Sequence, residues 1–129
     1  MSEKWIWIAA EVALAAHAEQ LAEHGGGEGV RDMGLFESAM ARPRNLAQYA
    51  EPDAVALAAA YAFGLARNHP FVDGNKRTAA VVSETFLVIN GFVLGATDAE
   101  VVVVFESLAA GELSEDELAD WFREHISAS

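Results

Sequence analysis

Cysteine is absent from the 129 residues of the chain. This absence excludes a disulfide framework and any zinc site built on thiolates, and nothing in the composition requires an oxidising compartment. The chain also lacks an apolar run of the roughly 20 residues that a membrane-spanning helix needs. Its first residues place Glu3 and Glu11 around a short apolar stretch, without the basic segment that opens a secretory signal. We therefore expect a cytoplasmic protein that has no membrane partner.

Basic residues are scarce. Lys and Arg total 8 against 20 Asp and Glu, which gives a formal net charge of -12. A surface of this charge repels the phosphates of DNA and RNA, so we expect no direct nucleic acid binding. Hydrophobic residues make up 53% of the chain, enough for a sizeable core. The length suits one domain, which we place at residues 1–129.

Apolar residues recur with the spacing of helices rather than strands. A first, core-facing helix is predicted from the N-terminal residues to the glycine run at 25–27, with Ile6 and Leu14 on its apolar face. Within this helix Trp5 and Trp7 would lie on different faces. We therefore expect one of the two rings to be exposed and free to meet a partner.

Proline and capping residues predict the bounds of the next two helices. Asp32 caps the second helix, and Pro43 ends it. Pro52 suits the first position of a third helix, which is rich in Ala and runs to the turn at 69–70. This third helix delivers the chain to a loop of unusual composition.

The sequence beyond this loop predicts three more helices. The segment RTAAVVSETFLVIN is apolar around most of its circumference, so we expect it to be the central helix, ending at Asn90-Gly91. Capping boxes begin two short helices at Thr97 and Ser114. The valine run 101–104 is compatible with a strand, but its spacing to Phe105 favours a helix. The predicted fold class is all-α.

The loop combines more chemical groups than a connector requires. Within HPFVDGNKRTA lie an imidazole, a carboxylate, a Gly-Asn pair and two adjacent cations. We expect Asn75 to cap the following helix and to bind an anion, which places Lys76 and Arg77 in the first turn. A helix N-terminus disfavours cations, so an anion should compensate for them. Exposed N–H groups, the flexible Gly74 and two basic side chains together predict a phosphate site.

Three other side chains of the loop have separate predicted roles. Asp73 offers a hard oxygen ligand, and Mg²⁺ commonly takes one or two carboxylates together with phosphate oxygens of a substrate. An imidazole exchanges protons near neutral pH, so His69 is the candidate general base. Phe71 is expected to anchor the loop by burying its ring. Alone, each residue would more often be structural, but their combination favours a catalytic site.

The loop resembles the signature of the Fic/Doc family, H-P-F-x-(D/E)-G-N-(G or K)-R. Its fixed positions are matched by His69, Pro70, Phe71, Asp73, Gly74, Asn75 and Arg77. The upstream segment GGGEGVRDMGLFESAMARP is similar to the glycine-rich turn and following helix of the death-on-curing (Doc) toxins in this family. The resemblance implies a compact helical fold with the motif between two central helices.

The resemblance also implies a reaction on a nucleotide. Family members with Gly at the position of Lys76 transfer AMP to a hydroxyl side chain. Lys is the rule in Doc-type relatives, and it implies a reversed nucleotide from which the terminal phosphate is transferred. We therefore expect a toxin-like protein kinase that uses Mg²⁺ and ATP, with His69, Asp73, Lys76 and Arg77 as catalytic residues. The family's best-known target is a threonine of a translation elongation factor, such as elongation factor Tu.

Two alternatives stay open. Pro70 and Gly74 are more Fic-like than the Ile and Ala of the best-known Doc pattern, which keeps AMP transfer open. The third hypothesis is a module that binds nucleotide or antitoxin without turnover. The self-inhibitory pattern (S/T)-x-x-x-E-(G/N) of some Fic proteins is absent from the sequence. Inhibition is therefore expected from a separate antitoxin protein.

Other charged residues have weaker predictions. Arg67 matches a basic position in Doc-type relatives and is a candidate phosphate ligand together with the loop residues 74–77. Alternatively, Arg67 is a solvated charge at the end of a helix. His17, His24 and His125 lack the spacing of metal ligands, so structural or surface roles are expected for them.

Overall fold

The computed structural model of the protein describes residues 4–129. Within them lie six helices: α1 Ala10–His24, α2 Met33–Tyr49, α3 Ala54–Asn68, α4 Asn75–Ile89, α5 Asp98–Ala109 and α6 Glu115–His125. Two three-residue strands, β1 Phe92–Leu94 and β2 Ile126–Ala128, pair antiparallel with Phe92 opposite Ala128. The predicted all-α class is confirmed apart from this small ribbon. None of the helices in the described range has the length and apolar character needed to cross a membrane.

The central helix is α3, not α4 as the sequence predicted. Eleven of the fifteen residues of α3 are buried, compared with seven of fifteen in α4, where Val88 and Ile89 are exposed. The helices α2, α4, α5 and α6 all pack against α3. Its small side chains allow close approach, since a Cβ added at Gly64 would lie 3.0 Å from the Cα of Ala39 in α2. The core therefore surrounds the helix that leads into the loop at 69–74.

The segment before α1 is extended, so the predicted first helix begins too early. α1 starts at Ala10 and ends at His24, and Gly25, the first residue of the glycine run, is its C-cap. The Ile8 main-chain N–H donates to the hydroxyl of Tyr61 in α3 at 3.0 Å, which fixes the extended segment across the core. Ile6, which was expected on the core face, is 59% exposed. The first three residues of the predicted helix lie outside the described residues.

Both tryptophans of the extended segment face the core. The rings of Trp5 and Trp7 pack against Phe86, with ring centroids 6.2 and 6.0 Å from it. Residues two apart point to the same side of an extended chain, whereas in a helix they diverge. The prediction that one of these rings is free on a separate helix face was therefore wrong, and both are half-buried.

Two prolines occupy different helix positions from those predicted. Pro43 lies inside α2 rather than at its end, and six more helical residues follow it. Leu46 and Ala47 in this last stretch pack against the core. Their burial offsets the roughly 3 kcal/mol that an internal proline costs a helix. Pro52 precedes Asp53, the N-cap of α3, instead of occupying the first helical position.

The caps predicted for α2, α5 and α6 and the predicted end of α4 are confirmed. The Asp32 carboxylate accepts a main-chain hydrogen bond at the start of α2. Thr97 and Ser114 each form a complete capping box, at the starts of α5 and α6. Asn90 ends α4 as expected. The valine run 101–104 lies within α5, as the helical spacing favoured.

Candidate active site

The loop between α3 and α4 begins with a left-handed turn at His69. His69 is the C-cap of α3 and has a φ of 50°, the only positive φ of a non-glycine residue in the described range 4–129. Arg31 donates through Nε to the His69 carbonyl at 2.8 Å and through Nη2 to the Asn68 carbonyl at 3.1 Å. Carbonyls at the end of a helix lack hydrogen-bond partners within the helix, and Arg31 donates to two of them here. The imidazole of His69 is exposed and is not needed to bind these carbonyls.

The segment that follows the glycine run pairs with the loop. Val30 and Phe71 form an antiparallel bridge. The Arg31 N–H donates to the Pro70 carbonyl at 2.7 Å, and the Val72 N–H donates to the Gly29 carbonyl at 3.2 Å. These main-chain bonds attach the loop to the start of α2. The loop is therefore held along its length and not only at its two helices.

Asn75 ties the loop to itself and is not the cap of α4. Its carboxamide accepts from the Phe71 N–H at 3.0 Å and donates to the Phe71 carbonyl at 3.1 Å. The N-cap is Gly74, which has a φ of 78° and no side chain to cap with. The predicted cap at Asn75 was therefore wrong, because its buried side chain satisfies buried main-chain groups instead. The first-turn N–H groups of α4 remain without a side-chain cap.

Phe71 anchors the loop, as predicted. Its ring is 1% exposed and lies between His17 of α1 and Phe36 of α2. The ring centroids are 3.8 Å from His17, nearly parallel at 8°, and 5.6 Å from Phe36. Burial of an aromatic ring at this point stabilises the loop against both neighbouring helices.

Asp73 is held at the edge of the loop by main-chain donors. One oxygen, Oδ1, accepts from the Gly74 N–H at 2.9 Å, and Oδ2 lies 3.4 Å from the Gly27 N. A Cβ added at Gly26 would lie 2.9 Å from Asp73 Oδ2. The glycine run therefore does more than end α1, because only glycine lets the chain approach this carboxylate so closely.

A cleft of about 480 Å³ opens between the loop and α5. The motif supplies one side through His69, Val72, Asp73, Gly74, Asn75, Lys76 and Arg77. The other side is largely apolar and comes from Ala80, Val101, Val102, Phe105 and Glu106. The structure thus brings together the loop residues that the sequence singled out as catalytic or phosphate-binding. A cleft with one charged and one apolar wall suits an amphipathic ligand such as a nucleotide.

Arg67 does not share this cleft. Its guanidinium lies 5.2 Å from the ring centroid of Phe63, one turn back on α3. The same group lies near Gly111 in the turn between α5 and α6, 3.7 Å from where a Cβ would be. Arg67 is not among the cleft-lining residues. Its position fits the alternative of a charge at the end of a helix better than a phosphate ligand.

Lys76 and Arg77 are exposed and form no salt bridge within the described residues. By contrast, Arg42 pairs with Glu115 and Arg123 pairs with Asp53. Acidic residues outnumber basic ones in this chain, yet these two adjacent cations at a helix N-terminus have no carboxylate partner among residues 4–129. This arrangement favours an anion in the cleft, where the helix N–H groups and both side chains would bind it.

The donor set around Asp73 fits Mg²⁺ and not a metal held by protein alone. No group of three or more metal-ligating side chains occurs within residues 4–129. Mg²⁺ typically keeps several waters and takes one or two carboxylates plus the phosphates of its substrate. The exposed Asp73 carboxylate at the cleft, beside the candidate phosphate site, meets that requirement.

Sequence reasoning missed the residues that hold the motif from outside. Arg31 binds the carbonyls at the end of α3, His17 lies against Phe71, and Gly26 lies against Asp73. A structural role for His17 was among the expectations, but its neighbour was not. Spacing along the chain relates none of these residues to the loop, because the contacts arise only when α1 and α2 pack beside it.

The fold and the cleft define a class: a helical protein with a candidate anion site at the start of α4 and a His-to-Arg motif around it. Residues 7–87 match the sequence profile of the Fic/DOC family. The match covers more than half of the chain, so the protein belongs to the Fic/DOC family. The resemblance seen in the loop is thereby confirmed.

Two curated proteins are similar to this chain. Over 117 residues, 90% of this chain and 92% of the relative, it is 33% identical to "Protein kinase doc" of Escherichia phage P1. Over 74 residues it is 49% identical to "Toxin Doc" of Mycolicibacterium smegmatis, in a match that covers 56% of this chain and 57% of that relative. The second match therefore spans little more than half of either protein.

Proposed function

We propose that this protein is a toxin-like transferase that moves the terminal phosphate of ATP onto a hydroxyl side chain of a target protein. The observation that carries the proposal is the pair of cations Lys76 and Arg77, which form no salt bridge in the part of the chain that the structure describes. They lie at the N-terminus of α4, which has no side-chain cap, in one cleft with His69 and Asp73. The relative named a protein kinase, aligned over most of both chains, supports the same reaction class.

In the proposed reaction His69 acts on the target hydroxyl. It accepts the hydroxyl proton while the hydroxyl oxygen forms a bond to the γ-phosphorus and the bond to the bridging oxygen of ADP breaks. Lys76, Arg77 and the first N–H groups of α4 bind the phosphate oxygens and stabilise charge that develops on them. Asp73 would hold Mg²⁺, which neutralises phosphate charge when bound. The apolar wall of α5, with Val102 and Phe105, would bind the adenine ring of ATP.

AMP transfer is the second candidate. Gly74, with its φ of 78° and no side chain, leaves the start of α4 open. A compact site of this kind would also accept the phosphates in the opposite orientation, with the α-phosphorus facing His69. Lys76 favours the kinase, because its ammonium takes up the space that a glycine would leave at this position. Lys76→Gly is therefore the variant that separates the two reactions.

The first experiment uses ATP labelled at either the α or the γ phosphate. The purified protein is incubated with Mg²⁺, labelled ATP and elongation factor Tu, or with a bacterial lysate, and the labelled target is identified by mass spectrometry. Label from the γ phosphate supports the kinase, and label from the α phosphate supports AMP transfer. With Lys76→Gly we expect γ transfer to decline and α transfer to appear.

A module that binds nucleotide or antitoxin without turnover is the third candidate. It predicts nucleotide binding with neither label transferred. Expression in bacteria distinguishes it further, since a catalytic toxin arrests growth and His69→Ala relieves the arrest. We place the protein in the cytoplasm with an antitoxin as its partner. The relative named a toxin supports that partner, and an antitoxin would be detected by its suppression of both growth arrest and transfer.

A further inference from the structure

His17 is the one large side chain of α1 that is buried, with 5% of its surface exposed. The other buried residues of α1 are Ala13 and Ala16. A buried imidazole needs a hydrogen-bond partner, and that of His17 lies in the loop and not in its own helix. The ring stacks on Phe71 and lies below Gly74, 3.6 Å from the position of a Cβ there.

The partner of His17 is the main-chain carbonyl of Asp73, 2.8 Å from Nε2. A carbonyl only accepts hydrogen bonds, so Nε2 carries the hydrogen. The peptide group between Asp73 and Gly74 is planar and trans, so its C=O and N–H point in opposite directions. By fixing the carbonyl, His17 also fixes the Gly74 N–H on the opposite side of that peptide.

The Gly74 N–H in turn donates to Asp73 Oδ1 at 2.9 Å. The imidazole, the peptide plane and the carboxylate therefore form one continuous chain of contacts. The only other hydrogen bond to this carboxylate within the described residues is the long one from the Gly27 N–H, at 3.4 Å. The orientation of the Asp73 carboxylate at the cleft thus depends chiefly on a peptide plane that His17 holds.

We propose that His17 is a positioning residue for Asp73, which keeps the carboxylate in the orientation needed to take up Mg²⁺ with the nucleotide. The proposal rests on the proposed function, in which Asp73 is the metal ligand. Groups that orient a ligand without touching the metal commonly change metal affinity or activity by about 10- to 100-fold. A purely space-filling role makes a different prediction, because any ring that stacks on Phe71 would then replace the imidazole.

Two variants separate these roles. His17→Phe keeps a flat ring on Phe71 but has no donor for the Asp73 carbonyl. His17→Gln keeps an N–H donor at a similar distance from the main chain but has no ring. If His17 positions the carboxylate, His17→Phe raises the Mg²⁺ concentration for half-maximal transfer about tenfold or more. In His17→Gln this concentration stays closer to the wild-type value.

A second measurement does not depend on activity. Hydrogen exchange of the Gly74 amide, followed by NMR in the full chain without nucleotide, reports the bond to Asp73 Oδ1. We expect exchange to become about tenfold faster in His17→Phe and to remain slow in His17→Gln, since a loss of about 1.4 kcal/mol in local stability corresponds to that factor. The amide of Leu65, in the buried middle of α3, serves as the internal control.

The outcomes distinguish this inference from the proposed function. A folded His17→Phe protein with wild-type Gly74 exchange and wild-type Mg²⁺ dependence overturns the role of His17. If His17→Phe does not fold, His17→Gln decides, because fast Gly74 exchange in a protein that keeps the donor also overturns it. If the wild-type protein transfers no phosphate while Gly74 exchange responds as expected, the proposed function fails and the positioning of Asp73 by His17 stands.

Discussion

Arg31 and His69 are joined through the main chain of His69 and not through its imidazole, with Arg31 Nε 2.8 Å from the His69 carbonyl oxygen. The backbone of His69 is thereby fixed in its left-handed conformation while the ring stays available to the cleft. Arg31→Lys keeps the charge but replaces a planar group with two directed donors by one ammonium. We expect the transfer rate to fall by roughly 10- to 100-fold, because the proposed general base is displaced.

The matched control for Arg31→Lys is Arg42→Lys. Arg42 is another exposed arginine, inside α2, and it pairs with Glu115 away from the cleft. Initial rates at saturating ATP, compared between the two variants, measure the effect on the site. Equal losses in both variants would mean that Arg31 contributes only to general stability.

His69 itself is tested by His69→Asn. Asparagine tolerates a positive φ better than most residues, so the turn should keep its shape. The side chain cannot accept the hydroxyl proton, and loss of a general base typically costs about 10²- to 10⁴-fold in rate. We expect the melting temperature and ATP binding to stay near wild-type values while transfer falls by this factor. A variant that keeps more than about a tenth of wild-type turnover would exclude His69 as the base.

Two neighbouring glycines test the approach to Asp73. Gly25 and Gly26 both have positive φ, 77° and 127°, so alanine is strained at either position. Only the Cβ at Gly26 would meet the Asp73 carboxylate, at 2.9 Å, and Gly25 has no atom within 4 Å of its added Cβ. We expect both variants to lose stability, but only Gly26→Ala to raise the Mg²⁺ requirement of transfer, by about 10-fold or more.

Titration of transfer rate against Mg²⁺ separates these two glycine variants. Thermal unfolding of both proteins measures the shared cost of backbone strain. An unchanged Mg²⁺ requirement in Gly26→Ala would show that the carboxylate can move aside without loss of its role.

Asn75 is expected to contribute mainly to stability. Asn75→Ala leaves the buried N–H and C=O of Phe71 without their partner, and an unsatisfied buried group costs about 1–3 kcal/mol. Asn75→Asp keeps an acceptor for the N–H but has no donor for the carbonyl. In urea, the free energy of unfolding should therefore be highest for wild type, lower for Asn75→Asp and lowest for Asn75→Ala. Equal stability of all three would contradict this account of the side chain.

The capping box of α5 makes a prediction about pH. The pKa of Glu100 is held below its ordinary value, chiefly because its carboxylate accepts the Thr97 main-chain N–H and then the Thr97 hydroxyl. A carboxyl whose pKa is lower in the folded state stabilises the fold above its unfolded pKa, and this contribution disappears as pH falls through the folded pKa. The melting temperature of wild type should therefore exceed that of Glu100→Gln at pH 7, and the gap should close in acid.

Glu19→Gln, on an exposed position of α1, is the control for this pH experiment. It should show no comparable gap at pH 7. A gap between wild type and Glu100→Gln that is independent of pH would assign the effect to the capping geometry and not to the charge.

Local signals predicted the caps of α2, α5 and α6, and contacts between distant segments produced most of the differences. Thr97 and Ser114 begin their helices as the sequence indicated, because a capping box needs only two residues three positions apart. Pro43 failed to end α2, because the following residues gain burial against the core. Trp5 and Trp7 are in an extended segment for a similar reason, since Phe86 of α4 receives both rings.

The candidate site also has one part that the sequence predicted and one part that it could not. Its motif is contiguous in sequence, so one wall of the cleft could be predicted together with its chemistry. The apolar wall from α5, including Phe105, could not be predicted, because it depends on how α5 packs beside α4. Asn75 illustrates the remaining difficulty: its residue type favours a cap, but the buried main chain of Phe71 takes its side chain instead.

The exposed cations Lys76 and Arg77 have a kinetic consequence because they belong to a chain of net charge -12. A polyanionic nucleotide is repelled by the protein at long range and meets attraction only within about 8 Å of the two cations, the screening length at physiological ionic strength. Moderate salt therefore shortens the reach of the repulsion and speeds the encounter, while it weakens the hold of the cleft on its ligand. The association and dissociation rate constants of the nucleotide should therefore both increase as ionic strength rises.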